Sequence, residues 1–429
     1  MKMRILAGVA CTAMLLGAAA TPQALEVSGT AAVQARVFTN SPQLPFQHGN
    51  SYSLSIQPEF YHEWADGDHS FTLTPFARYD GDDPERTHFD LREALWLWVG
   101  DEFEFRAGIG KVFWGVAESN HLVDIINQTD FVEDIDSEEK LGQPMVNLNW
   151  IQDWGTVELY MLPTFRERTF AGRRGRPSFV PYVEHELVQF DSSDEEGHID
   201  AAIRYSGSFD FEMGYLDLGV YHFWGTSREP RYQLVINSPD SIALRPIYDI
   251  IHQTAVHAQL TSEDWIWKLE AFHRSGQLDS FFATVFGFEY TLGGIWDTNA
   301  DLGIVAEYHY DERDSTLLPF GPADLPALLT SPQLPGLLAS TFTVPLFDSD
   351  IMFGVRMNLN NAASTEALLG MVLDVNNHST FVSLEGSHRL TDRFSLELDG
   401  RFFTNVDNRD PLRFYQEDSY WQLQLSYYF

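Results

Sequence analysis

Polar and apolar residues alternate along almost the whole chain. Tyr52, Leu54, Ile56, Pro58, Phe60 and Trp64 are interleaved with Ser51, Ser53, Ser55, Gln57, Glu59, Tyr61 and Glu63. Val27, Ala31, Val33, Ala35 and Val37 alternate with Ser28, Thr30, Gln34 and Arg36. Ile199, Ala201, Ile203 and Tyr205 alternate with His198, Asp200, Ala202 and Arg204, and Phe394, Leu396, Leu398 and Phe402 with Ser395, Glu397, Asp399 and Arg401. A period of two is the mark of a β-strand with one apolar and one wet face. The pattern runs to the last residue: Trp421, Leu423, Leu425, Tyr427 and Phe429 share one face of the terminal segment.

Connections between these segments alternate in length. Ala65–His69, Gly100–Glu102, Asp153–Gly155, Ser262–Asp264 and Thr391–Arg393 are short; Gly115–Gln143, Glu167–Gly197, Gly225–Ile247 and Asp311–Phe347 are long. The rhythm predicts an all-β fold, a transmembrane antiparallel up-and-down β-barrel of about 18 strands, with about 16 the alternative. Apolar faces then meet lipid and polar faces the lumen. Glu93 and Lys111 fall on faces assigned to lipid, which calls for a bulge, a snorkelling side chain or a one-residue shift of register. Ser315–Val344 carries Leu and Pro without alternation and reads as a folded-over outer loop, with a short helix around Leu325–Leu329.

The start of the chain reads differently. Lys2 and Arg4 precede an apolar run from Ile5 to Ala20, followed by small residues. This is the order of a secretory signal peptide, residues 1–24, cleaved after Ala20 or Ala24. The run falls short of the ~20 residues a spanning helix needs. Residues 25–429 then form a single barrel domain. Cys11 is the only cysteine and lies in the leader, so the mature chain has neither disulfides nor a cysteine-based site.

Composition adds two constraints. Aromatic residues make up 14% of the chain, as interfacial girdles require. Net charge is −35, from 62 acids against 27 bases, which excludes nucleic acid as a partner. Past the leader no apolar run approaches the ~18 residues of a membrane helix, which leaves a barrel as the way across a bilayer.

Two features can narrow a pore of this size. The long connection Gly115–Gln143 carries Glu118, Asp124, Asp130, Glu133, Asp134, Asp136, Glu138 and Glu139 against Lys140 alone. It also has Val123, Ile125, Ile126, Phe131 and Ile135, apolar residues that can pin it to a surface. By alternation Arg36, Arg78, Arg92, Arg106, Arg204, Arg356, Arg389 and Arg401 face the lumen, and closure gathers most of them on one arc. They form either stabilising wall ion pairs or a basic ladder opposite the acidic loop. A further cluster, Arg166, Arg168, Arg173, Arg174 and Arg176, suits phosphate or carboxylate. It can bind lipopolysaccharide, capture anionic solutes or pair with the acidic loop. The acidic stretches Asp80–Glu85, Asp191–Glu196 and Asp311–Asp314 are open to loosely bound Ca²⁺ or Mg²⁺, or are plain solvated loops.

Signal peptide, alternating strands, acidic third long loop, inward arginines and terminal Phe429 together resemble the porin-like channels of Gram-negative outer membranes. The stretch RAGIGKVFWG (106–115) with DIINQTD (124–130) loosely resembles large outer-membrane proteins of proteobacteria. The resemblance implies location in the cell outer membrane and passive diffusion of small polar or charged solutes, with no enzymatic activity and no cofactor. It also implies contact with outer-membrane lipid and lipopolysaccharide. A terminal Phe resembles the signal read by the barrel assembly machinery. Two rival classes remain. One is a barrel enzyme that hydrolyses lipid or peptide, for which neither G-x-S-x-G nor H-E-x-x-H is present. The other is a plugged assembly or adhesion barrel, for which no separate plug domain precedes the first strand.

Overall fold

A computed structural model describes residues 24–313, 331–332 and 334–429, apart from 180, 239 and 240. The leader and the helix expected at Leu325–Leu329 lie outside the described residues. Eighteen strands form one closed antiparallel sheet. They are β1 (Glu26–Phe38), β2 (Asn50–Trp64), β3 (His69–Asp80), β4 (His88–Val99), β5 (Phe103–Gly110), β6 (Gln143–Gln152), β7 (Gly155–Leu162), β9 (Asp200–Phe211) and β10 (Gly214–Thr226), then β13 (Ile250–Ser262), β14 (Trp265–Ser275), β15 (Phe281–Leu292), β16 (Asp301–Asp311), β18 (Ser349–Asn358), β19 (Glu366–Asp374), β20 (Thr380–Thr391), β21 (Phe394–Thr404) and β22 (Tyr420–Tyr428). The remaining strands, β8 (Gln189–Phe190), β11 (Arg231–Ser238), β12 (Ser241–Tyr248) and β17 (Thr341–Phe342), make a second, smaller sheet.

Each barrel strand pairs with its chain neighbour, and β1 pairs with both β2 and β22. At the seam Gly29 and Phe429 exchange N–H···O bonds of 3.0 and 3.1 Å. Val33, Leu54, Phe353 and Leu423 are each 47–56% exposed on the outside, while Gln34, Ser53 and Gln422 beside them are buried within. Apolar residues at that exposure fit a lipid-facing surface. At the short-turn end the outer aromatics touch one another: Trp64 stacks on His69, Trp150 meets Trp154, and Trp265 meets Trp267 and Tyr290. This is a girdle. Among the described residues no helix is long and apolar enough to cross a membrane.

Two irregular positions find an explanation. In β4 the pairing with β3 shifts between Thr74 and Pro75, so Leu91 pairs with Pro75 and Glu93 with the buried Thr74. Arg92 sits in this bulge, and Glu93 is turned to the lumen side. Pro75 cannot donate a ladder bond, which is where a bulge is tolerated. Lys111 lies beyond the end of β5, outside the strand to which alternation assigned it.

The long connections form a cap over one end. The segment read as a loop from Gly225 to Ile247 instead holds the antiparallel hairpin β11–β12, joined by β17 and by β8 in parallel. Its apolar side packs Phe170, Phe179, Tyr232 and Leu244 against Phe131, Leu412 and Phe414. A short helix, Leu334–Ala339, lies in the segment read as a folded-over loop and packs on this cluster.

Candidate functional site

Residues 111–142 connect β5 to β6 and run inside the barrel, touching opposite walls. One margin is apolar. Trp114, Val123, Ile125 and Ile126 pack with the inward-facing Met145, Tyr160, Tyr221, Phe223, Phe272 and Ala283. At that margin wall carboxylates take up loop backbone N–H groups. Val116 and Ala117 donate to Glu270 Oε1 at 2.6 and 2.8 Å, and Val123 to Oε2 at 3.2 Å. Glu118 and Ser119 donate backbone N–H groups to Glu307 at 2.7 and 3.1 Å. Arg228 donates twice to the Ile126 carbonyl. Gly115 makes the approach possible: its φ is +136°, and a Cβ there would lie 2.7 Å from Glu270 Oε1.

The other margin is ionic. Arg78 holds Glu133 through Nε at 2.9 and 2.8 Å and Nη2 at 2.6 Å. Arg92 Nη2 lies 2.7 Å from Asp130, which also accepts from Thr169 at 2.6 Å. Arg36 donates to the Glu133 carbonyl at 3.2 Å and lies 3.9 Å from Asp134, to which the Tyr420 hydroxyl donates at 3.3 Å. Arg401 reaches Asp136 at 3.1 Å. Four of the arginines expected on the wall thus meet the acidic loop directly. Arg36, Arg78, Arg92 and Arg401 are buried in direct contact with the loop, because a fixed guanidinium–carboxylate fork is stronger than the same charges separated by water.

The other expected residues divide. Glu118 leaves that margin to pair with Lys268 and, at 2.7 Å, with Arg356. Asp124 braces the loop internally through Lys140 at 3.0 Å, and Glu138 does so through His121 at 2.7 Å. Glu139 is exposed on the lumen side and its carbonyl accepts from the Asp130 N–H. Arg204 pairs with Glu158 at 2.6 Å and lies over the Trp114 ring. Arg106 pairs with Glu104 on its own strand at 3.1 Å. Arg389 faces inward at the short-turn end, exposed and away from the loop.

The five-arginine cluster does not form one patch. Arg166 pairs with Asp90 at 2.6 Å, Arg168 meets Gln128 and the Phe131 ring, and Arg173 lies over Phe46 and Tyr182. Arg174 is exposed, and Arg176 is buried on Asp418 at 2.7 Å. Of the acidic stretches, Asp80 is held by Arg86 at 2.9 Å and Asp311 by Arg313 at 2.6 Å.

Sequence reasoning missed Glu270, Glu307, Lys268, Arg86 and Arg228. Lys268 and Glu270 were open to discovery, since both interrupt the apolar run of IWKLEAFHRS at lumen-facing positions. Ser119 Oγ touches both Glu307 and His309 Nε2, the latter at 2.9 Å. Here the acid bonds the serine, and His309 Nδ1 has no hydrogen-bond partner among the described residues. A catalytic triad needs the acid on Nδ1 to orient the base.

Cavities flank the loop among the described residues. One of about 660 Å³ lies between it and the far wall, lined by Glu118, Lys268, Arg356, Val372, Phe381 and Phe403 among others. One of about 340 Å³ opens toward Gln34, Gln57, Arg78 and Gln424, and one of about 150 Å³ lies under the cap beside Arg168, Arg274 and Arg313. Asp136 lines all three.

The loop's grip depends on pH. Burial raises the Asp130 carboxyl, but His88, the Arg92 charge and Thr169 outweigh it and hold it at about 2, below the ordinary 3.8. A depressed carboxylate stabilises above its ordinary value, and that contribution is lost as pH falls through the folded value. Burial lowers the His121 imidazole, but Glu138 overcomes this and raises it. Its contribution is present below the ordinary 6.5 and is lost as pH rises through the raised value. Loop mobility, read by amide hydrogen exchange, is expected to be lowest in mildly acidic buffer and to rise as pH falls from 3.8 toward 2. Equal exchange protection of residues 128–135 across that window would reject the role of Asp130.

No family profile matches the chain, and no curated protein matches it. Solved structures do. A BenF-like porin from Pseudomonas fluorescens aligns with a TM-score of 0.51 at 8% identity, over 94% of this chain and 97% of that one. OprB from Pseudomonas putida aligns at 0.43 and 10% identity, over 94% and 93%. A triple mutant of Rhodopseudomonas blastica porin aligns at 0.41 and 7% identity, over 95% and 100%. At such identities the likeness speaks for the fold, and the first alignment carries it. The chain is thus a porin-like barrel, closed by eighteen antiparallel strands.

Proposed function

We propose that this protein is a bacterial outer-membrane channel through which small polar or charged solutes diffuse, with the loop 111–142 as its constriction. The observation that carries the reading is Asp136, which lines the cavity under the cap and both cavities beside the loop. A solute crossing from one end to the other meets this carboxylate and its partner Arg401. Glu118, Lys268 and Arg356 add fixed charges of both signs to the widest passage. Charged groups at a narrow point set which ions enter, provided that binding stays weak enough for release. In the same reading lipopolysaccharide surrounds the capped end, and the assembly machinery engages the terminal strand.

A second reading, a plugged barrel, is favoured by the packed cap over the mouth. Planar-bilayer recording of the purified protein separates the two. The channel reading expects discrete, ohmic conductance steps, and a protein that inserts without conducting rejects it. Arg78→Ala leaves Glu133 without its fork. The cation-to-anion permeability ratio is then expected to rise by about twofold or more. An unchanged ratio would return Arg78 to a purely structural wall contact.

A further inference from the structure

Four aspartates meet where three outer connections leave the barrel. Asp350 is the second residue of β18 and pairs directly across the sheet with Asp374 at the end of β19. Asp348 precedes β18, and Asp410 comes from the connection between β21 and β22. One carboxylate oxygen each of Asp348, Asp350 and Asp374 lies within 4.8 Å of the others. The Asn377 side-chain amide donates to Asp374 at 3.0 Å and to Asp410 at 2.9 Å, tying the fourth acid to the group.

Like charges opposite each other across a strand pair repel, and burial removes the water that would screen them. Asp350, Asp374 and Asp410 are only 5, 4 and 3% exposed. Among the described residues none of these three forms an ion pair. Asp350 Oδ2 is buried without a hydrogen-bond partner among the described residues. The contrast is with His88, Asp130 and Glu133, a second group of potential ligands, where Arg78 and Arg92 already supply the countercharge.

We propose that Asp348, Asp350 and Asp374, with Asp410 beside them, bind a hard divalent cation of the Ca²⁺ type. The donors are all oxygen, and several carboxylates converge from two strand ends and two outer connections. That combination suits an ion with loose geometry and six to eight oxygen ligands. The ion would staple the connection before β18, the turn after β19 and the connection before β22, so that the cap rests on a cross-linked rim. The site does not depend on whether the barrel conducts.

The test uses the full folded barrel in detergent, stripped with EDTA and titrated with CaCl₂ by calorimetry. One saturable site per chain is expected, with a dissociation constant below about 1 mM. Asp350→Asn and Asp374→Asn should each weaken it at least about tenfold. Asp194→Asn, in a separate acidic stretch, should leave it unchanged. Folding of each variant is checked by its heat-modifiable gel mobility. Should a variant fail to fold, hydrogen exchange of the unmodified protein decides. CaCl₂ is expected to slow exchange in residues 375–379 and 405–412. Absence of a saturable site, undiminished affinity in both variants, or exchange unaffected by Ca²⁺ would overturn the proposal.

Discussion

Deleting residues 124–138, with a short Gly/Ser join, is expected to raise single-channel conductance severalfold and to move selectivity toward anions. The deletion removes every carboxylate that neutralises Arg36, Arg78, Arg92 and Arg401 from the loop side: Asp130, Glu133, Asp134 and Asp136. It leaves the barrel hydrogen bonds intact, because no barrel strand includes these residues. The anion shift is the opposite of that expected for Arg78→Ala, so the pair of experiments separates loss of an acid from loss of a base. Unchanged conductance after deletion would mean that ions do not pass beside the loop.

The second large effect is expected of Glu270→Ala. This buried carboxylate accepts three backbone N–H groups from Val116, Ala117 and Val123. A buried donor left without an acceptor costs ~1–3 kcal/mol. Losing all three costs on the order of 3 kcal/mol even after partial relaxation. Amide protection of residues 115–123 should then fall by about a hundredfold, while barrel strands keep theirs. Glu270→Gln retains one acceptor oxygen and should fall between. Full protection in the Ala variant would show that Trp114 and Ile126 alone hold this part of the loop.

The barrel was legible because a closed sheet with an apolar outside leaves alternation nowhere to hide. Each residue of a strand such as β22 must choose between outside and lumen, and the choice shows in Trp421, Leu423 and Leu425 against Gln422 and Gln424. The acidic loop and the inward arginines were legible for the same reason, as features placed on a face. Their partners were not. Glu270 meets Val116 across 154 positions of sequence, and Glu307 meets Glu118 across 189. Periodicity fixes which way a side chain points and says nothing of what arrives there. The cap hairpin was hidden for another reason: Pro230, Asn237 and Ser238 punctuate it as they would a loop, and Ile242, Ala243 and Leu244 are all buried in succession. The bulge in β4 lay within reach, since Glu93 on a lipid face already marked a register fault.

The two margins of the lumen loop answer to different solvents. The side held by Trp114, Val123 and Ile126 is a greasy hinge, which excluded salts such as sulfate tighten and which weakens on cooling. The side held by Asp130, Glu133 and Asp136 is an ionic latch, whose Asp130 contact is lost in acid and whose Asp136 contact, bordering all three cavities, is weakened by salt. Loss of the Asp130 contact in acid would bare a surface that carries Arg92 beside Arg36 and Arg78, while the apolar margin stays packed.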